Sequence, residues 1–89
     1  MMNELELRQH YKEAVINIVR GIIDPDGFRK DEIKTDVSLF SAGLGLDSID
    51  VVELVSQIEE TFHIKIEDYW KLRTIDNIVD YLIDNKIDG

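Results

Sequence analysis

Apolar residues recur along this chain with the spacing of helices. Leu7, Tyr11, Ala14, Val15, Ile18, Val19 and Ile22 follow an i, i+3, i+4, i+7 pattern, with Glu4, Glu6, Arg8, Gln9, Lys12 and Glu13 filling much of the other face. The pattern predicts a first helix over 4 to about 21, with Gly21 as its stop signal and Ile22-Ile23 extending the apolar contact. A second stripe, Val51, Leu54, Val55, Ile58 and Phe62, lies on one arc of a helical wheel and predicts a helix over 48 to about 62. A third, Ile75, Ile78, Val79 and Leu82, predicts a last helix over 75 to about 85, capped by Thr74, with Tyr81, Ile83 and Ile87 adding apolar bulk.

The connections are less regular. Residues 23–46 read mostly as loop, and Asp24-Pro25-Asp26-Gly27 is turn chemistry. Phe28, Ile33, Val37, Leu39 and Phe40 are expected to pin this loop to the core, with a short helical turn near 37–40. Its acids do not make a calcium loop: with Gly27 at the glycine position, the first and last ligands would be Ile22 and Ile33. The stretch 63–73 reads as an extended link, Ile64-Lys65-Ile66, into a short helix over 67 to about 71. Tyr69 and Trp70 are expected to fill core there rather than to shape a pocket. The expected fold is therefore all-α: a small antiparallel four-helix bundle, three longer helices and one short, with a long first loop, in a single domain over residues 1–89.

Charge adds a direction. With 19 acidic and 10 basic residues the net charge is −9, which disfavours nucleic acid and anionic membranes as partners and favours proteins with basic patches. From Asp47 to Phe62 there are five acids and no base. That one-signed helix points to a cationic partner, unless Lys65 or Arg73 folds back onto it. No apolar run approaches the ~18 residues of a membrane span. The N-terminus lacks the pattern of a secretory signal, so a cytoplasmic protein is expected. Without cysteine there is no disulfide and no thiolate metal site, and any thioester chemistry needs a thiol from outside the chain. His10 and His63 stand apart and make a poor zinc set, so no metal is expected.

The distinctive stretch is Gly43-Leu44-Gly45-Leu46-Asp47-Ser48-Ile49-Asp50-Val51-Val52-Glu53-Leu54. Asp47 suits a helix N-cap and Asp50 the acid of a capping box. Ser48 then opens the helix and faces outward beside a flexible, glycine-containing loop. Ile49, Val52 and Ser56 fall on an arc away from the core stripe, bordered by Glu53 and Glu60 on one side and Glu59 on the other, which makes a small docking surface. By position alone, Ser48 could do no more than help cap the helix.

Asp47-Ser48-Ile49-Asp50, with Val51-Val52-Glu53-Leu54-Val55 and Ile58-Glu59-Glu60-Thr61-Phe62 behind it, resembles the acyl carrier protein family. The resemblance implies that a phosphopantetheinyl transferase moves 4′-phosphopantetheine from coenzyme A onto Ser48. The chain would then carry acyl groups as thioesters for fatty-acid, lipid or polyketide-type biosynthesis. It implies a monomeric, non-catalytic carrier, met by partner enzymes with basic patches at Asp47, Ile49, Asp50, Val52, Glu53, Ser56, Glu59 and Glu60. The paired aspartates favour an acyl over a peptidyl carrier. Ser56, Leu46 with the extra loop glycine, and Tyr69-Trp70 depart from the housekeeping pattern and suit a specialised carrier, including an aminoacyl one. The rival is an acidic interaction module of the same fold that is never modified. An enzyme is disfavoured, because a serine nucleophile needs an oriented base and the only histidines, His10 and His63, stand far from Ser48 in sequence.

Overall fold

A computed structural model describes residues 3–27, 32–40 and 43–85. Its elements are α1 (Glu4–Ile23), α2 (Ser48–Phe62), a 3₁₀ turn (Tyr69–Lys71) and α3 (Ile75–Asp84). The all-α bundle with a long first loop is therefore the observed architecture. α1 packs along both α3 and α2. The core is built from the expected stripes. Val15 and Val19 come from α1, Val51, Leu54, Val55 and Ile58 from α2, and Ile75, Ile78, Val79 and Leu82 from α3. Each buried branched side chain of this kind is worth ~1.5–3 kcal/mol. An edge-to-face pair, Tyr11 on Phe62 with ring centroids 5.3 Å apart, adds to the α1–α2 contact. At the surface Arg8 meets Asp80 at 2.7 Å and links α1 to α3.

Each helix starts as its sequence dictates. Asn3 and Glu6 form a capping box on α1, and Asp47 and Asp50 form one on α2. The Thr74 hydroxyl accepts the Asn77 N–H at 3.0 Å on α3. Helix ends follow the sequence pattern less closely. α1 runs to Ile23, past Gly21, because Ile22 and Ile23 remain half-buried against the core and Asp24 caps the end with its N–H on the Arg20 carbonyl. α2 ends on His63, which takes the left-handed conformation at φ 56° that a glycine more often occupies.

The first loop differs from expectation in two respects, its helical turn and the place of Phe40. No helical turn forms near 37–40; Ser38 instead makes an antiparallel bridge to Thr74. The reason is a better set of partners. The Leu39 N–H bonds the Arg73 carbonyl at 2.8 Å, and the Asp76 N–H bonds the Thr35 carbonyl at 2.9 Å, so the loop is tied to the start of α3. Ile33 and Leu39 anchor it in the core as expected, while Val37 is half-buried and Phe40 is exposed. Phe28 and Ile87 lie outside the described residues.

The link after α2 is extended, with Ile66 buried and Lys65 exposed. The Tyr81 hydroxyl donates to the Lys65 carbonyl at 3.2 Å and ties the link to α3. The short helix is narrower than expected, three residues of 3₁₀ turn, and the Lys71 N–H donates to the Asp68 carbonyl. Lys65 and Arg73 do not fold back: among the described residues no ion pair involves an α2 carboxylate.

Two glycines make opposite predictions. A Cβ on Gly43 would run into the Ser38 backbone oxygen and sit 2.8 Å from its carbon and nitrogen. A Cβ on Gly21 meets nothing within 4 Å. Urea unfolding should show Gly43→Ala destabilised by ~1–3 kcal/mol. Gly21→Ala should be stabilised by ~0.5–1 kcal/mol, because it removes a glycine from a helix interior.

Candidate functional site

The first four N–H groups of a helix have no intrahelical partner. At α2 these belong to Asp47, Ser48, Ile49 and Asp50. The Asp47 carboxylate takes the Asp50 N–H at 2.8 Å, and the Asp50 carboxylate takes the Asp47 N–H at 3.2 Å. The N–H groups of Ser48 and Ile49 are left without an acceptor among the described residues. Two open donors and the positive end of the helix dipole thus flank the exposed Ser48 hydroxyl. α1 starts with the same box, but Glu4 stands where α2 has its serine.

Residues 43–46, which lead into Ser48, are tied back to the chain before them by backbone bonds. The Gly43 and Gly45 N–H groups both bond the Phe40 carbonyl, at 2.8 and 3.0 Å. The Leu44 N–H bonds the Ser38 carbonyl at 2.8 Å, and the Leu46 N–H bonds the Leu39 carbonyl at 2.9 Å. Gly43 is small so that it can lie on Ser38, and Gly45 adopts φ +83°. Leu46, 2% exposed, then plugs into the core immediately before Asp47. The glycines thus let residues 43–46 bond back to Ser38, Leu39 and Phe40 just before Ser48.

The predicted docking residues divide. Asp47, Ile49, Val52, Glu53, Ser56 and Glu60 are exposed, Ile49 by 78%, and Asp50 is half-buried within its capping box. They share the outer side of α2, with carboxylates around an apolar centre. Glu59 has a second commitment. Its carboxylate accepts the partly buried Ile66 N–H at 2.7 Å, holding the link against α2. Nothing in the sequence marks that bond, because it spans seven residues across an irregular turn.

Beside Ser48 lies a recess of about 210 Å³, lined by Ser48, Phe40, Val51, Tyr69 and Trp70. Trp70 does not fill the core: it is 61% exposed and meets Tyr69 edge-to-face at 5.7 Å. Tyr69 is half-buried and also borders a second hollow of about 230 Å³ with Val52, Val55 and Ile66. The 3₁₀ turn is too short to bury both rings on one side, which is why Trp70 stays outside. Phe40, expected to pin the loop to the core, is exposed instead. Its place on the wall of the recess follows from the Ser38–Thr74 bridge, which no periodicity announces.

This site suits a phosphodiester-linked group. Ser48 offers an exposed hydroxyl, the Ser48 and Ile49 N–H groups can receive a phosphate oxygen, and the recess offers apolar cover.

Comparison with known proteins points the same way. The family model described as "Phosphopantetheine attachment site" matches residues 13–82. A protein of Chlorobium phaeobacteroides called "Acyl carrier protein" is 40% identical over 74 residues, 81% of this chain and 90% of the relative. Proteins of the same description from Chlorobium phaeovibrioides and Chlorobium luteolum are 38% and 34% identical over 84 residues, each covering 92% of this chain and 97% of the relative.

The acids of α2 should separate by stability. Glu59→Ala leaves the Ile66 N–H without its partner and should cost ~1–3 kcal/mol. Glu60→Ala and Glu53→Ala, both exposed, should stay within ~0.5 kcal/mol of the parent. Chemical denaturation of the three variants side by side checks this.

Proposed function

The chain belongs to the acyl carrier protein family, and on that premise we propose that Ser48 is the residue to which its 4′-phosphopantetheine is joined. The observation that supports Ser48 is its placement: an exposed hydroxyl at the first position of α2, next to two open N–H donors and at the end of a closed loop. The group, once attached, supplies the thiol that the cysteine-free chain lacks and holds acyl cargo as a thioester. The chain is a carrier for biosynthetic enzymes.

The chemistry of attachment divides between the chain and its transferase. Ser48 Oγ is the nucleophile toward the phosphorus of coenzyme A that bears the pantetheine. A new Oγ–P bond forms as the bond to the nucleotide phosphate breaks, and 3′,5′-ADP leaves. The hydroxyl proton needs a base, and the neighbouring carboxylates of Asp47 and Asp50 are already engaged in the capping box. His63 caps the far end of α2, and a 15-residue helix is about 22 Å long. His10 lies on α1. We assign the base to the transferase, in keeping with a chain that is itself non-catalytic.

Docking relies on the outer side of α2. Asp47, Asp50, Glu53, Glu59 and Glu60 have no cationic partner within the described chain, so they are available to a basic patch. Ile49 and Val52 supply the apolar contact, and Ser56 keeps that contact narrow. A net charge of −9 keeps copies apart, which suits a monomer. Among the described residues no helix is long and apolar enough to cross a membrane. We place the whole chain, as one carrier domain, in the cytoplasm, where coenzyme A is at hand.

The test is intact-protein mass after incubation with coenzyme A and a broad-specificity phosphopantetheinyl transferase. Wild type should gain one phosphopantetheine. Ser48→Ala should gain none while keeping its stability within ~1 kcal/mol, the most an exposed serine at a helix start contributes. A folded wild type that stays unmodified beside an active control would favour the unmodified interaction module. Ile49→Arg should lower kcat/KM of loading about tenfold, as expected for losing a central apolar contact. Its unfolding curve should not move, because Ile49 is exposed.

A further inference from the structure

Among the described residues, five large hydrophobic side chains are exposed: Leu5, Phe40, Ile49, Val52 and Trp70. Ile49 and Val52 belong to the docking side of α2. Phe40 and Trp70 belong to neither the docking side nor the core. They come from opposite ends of the chain's irregular segments, the first loop and the 3₁₀ turn, and they meet at the recess that also contains Ser48. A tryptophan left 61% exposed gives up much of the favourable burial its large apolar surface could have. Here it forms one wall of an open hollow whose other walls are Phe40, Tyr69 and Val51, and whose rim carries the attachment serine.

Covalent geometry limits what can occupy that hollow. Beyond the phosphate of the arm comes one methylene and then a quaternary carbon bearing two methyl groups. This branched, apolar unit is only a few bonds from Ser48 Oγ, so it cannot leave the neighbourhood of the recess. The far end of the arm, by contrast, must fold back to return. A cavity of ~150 Å³ is enough to hold a benzene ring, so the 210 Å³ recess has room for a dimethyl-substituted carbon without displacing core side chains.

We propose that Phe40, Tyr69 and Trp70 form an aromatic seat for the branched proximal part of the phosphopantetheine arm, so that the arm leaves Ser48 across the 3₁₀ turn rather than projecting freely into solvent. The inference rests on Ser48 being the attachment point. Its consequence is directional: Tyr69 separates this recess from the second hollow along α2. An arm seated at Trp70 is started along that side of the helix, toward the surface where Val52 and Ser56 face a partner. Tyr69, half-buried, holds the Trp70 ring edge-on and is a positioning residue; Phe40 and Trp70 are the contacts.

Trp70 is the one tryptophan of the chain, so its emission reports on the seat alone. The apo and loaded forms of the whole chain are compared, with loading verified by intact mass. Loading should shift Trp70 emission to shorter wavelength and reduce acrylamide quenching about twofold as apolar contact replaces water. The loaded form should also show NOEs from the arm's two methyl groups to the Trp70 and Phe40 rings. Phe40→Ala, at an exposed position, should load normally, lose most of the quenching protection and weaken the NOEs to Trp70. Complete loading with unchanged quenching and no methyl–ring NOEs would overturn the seat and leave the attachment reading intact. Equal protection in Phe40→Ala and wild type would overturn it as well. A folded chain that never gains the mass fails on the attachment itself, and the seat falls with it.

Discussion

The reciprocal bond pair between Asp47 and Asp50 is the constraint on which the rest of the site depends. It sets where α2 begins, and a helix start fixes the direction of every side chain after it. With Ser48 as the first helical residue, Val51, Leu54, Val55 and Ile58 turn into the core and Ile49, Val52 and Ser56 turn out. Shifting the start by one residue would rotate the stripe by about 100° and place Ile49 or Val52 where the core is closed. The same two bonds use two of the four free N–H groups and leave those of Ser48 and Ile49 open. A single local motif thus sets the core register, the presentation of the hydroxyl and the anion-receiving donors.

The capping box is supported by the segment before it. Backbone bonds from Gly43, Gly45, Leu44 and Leu46 close the preceding loop, and Leu39 and Leu46 bury its two flanks. At the other end of α2, Glu59 holds the Ile66 N–H and so keeps the link close enough for Tyr69 and Trp70 to reach Ser48. The acidic side of α2 is tolerated because most of its carboxylates stay in water, where repulsion between like charges is weak and salt screens it. What remains is an unpaired field directed at whatever approaches the serine.

Much of this was legible in the residues. The three stripes predicted the three long helices, and Asp47, Asp50 and Thr74 predicted their starts, because caps and periodicity are local signals. The helical wheel, which sets Ile49 and Val52 at least about 100° away from Val51 and Leu54, predicted which of them face solvent. Sequence reasoning failed where the deciding partner is distant. The Ser38–Thr74 bridge replaces an expected helical turn, since its bonds come from across the chain. The same bridge moves Phe40 from the core to the edge of the recess. Trp70, read as core, lies outside because the 3₁₀ turn is only three residues long. Glu59 looked like one more exposed acid and proved to be a structural acceptor. Gly43 and Gly45 also bond back to the Phe40 carbonyl, a contact that no local pattern announces.

The most direct test of the central claim is to fragment the transferase-loaded wild-type chain and locate the added group by tandem mass spectrometry. The account predicts that every fragment carrying the phosphopantetheine contains Ser48, at the first position of α2. A group found instead on a fragment bearing Ser38, Ser41 or Ser56 without Ser48 would contradict it, because the donors, the closed loop and the recess would then be in the wrong place for the chemistry.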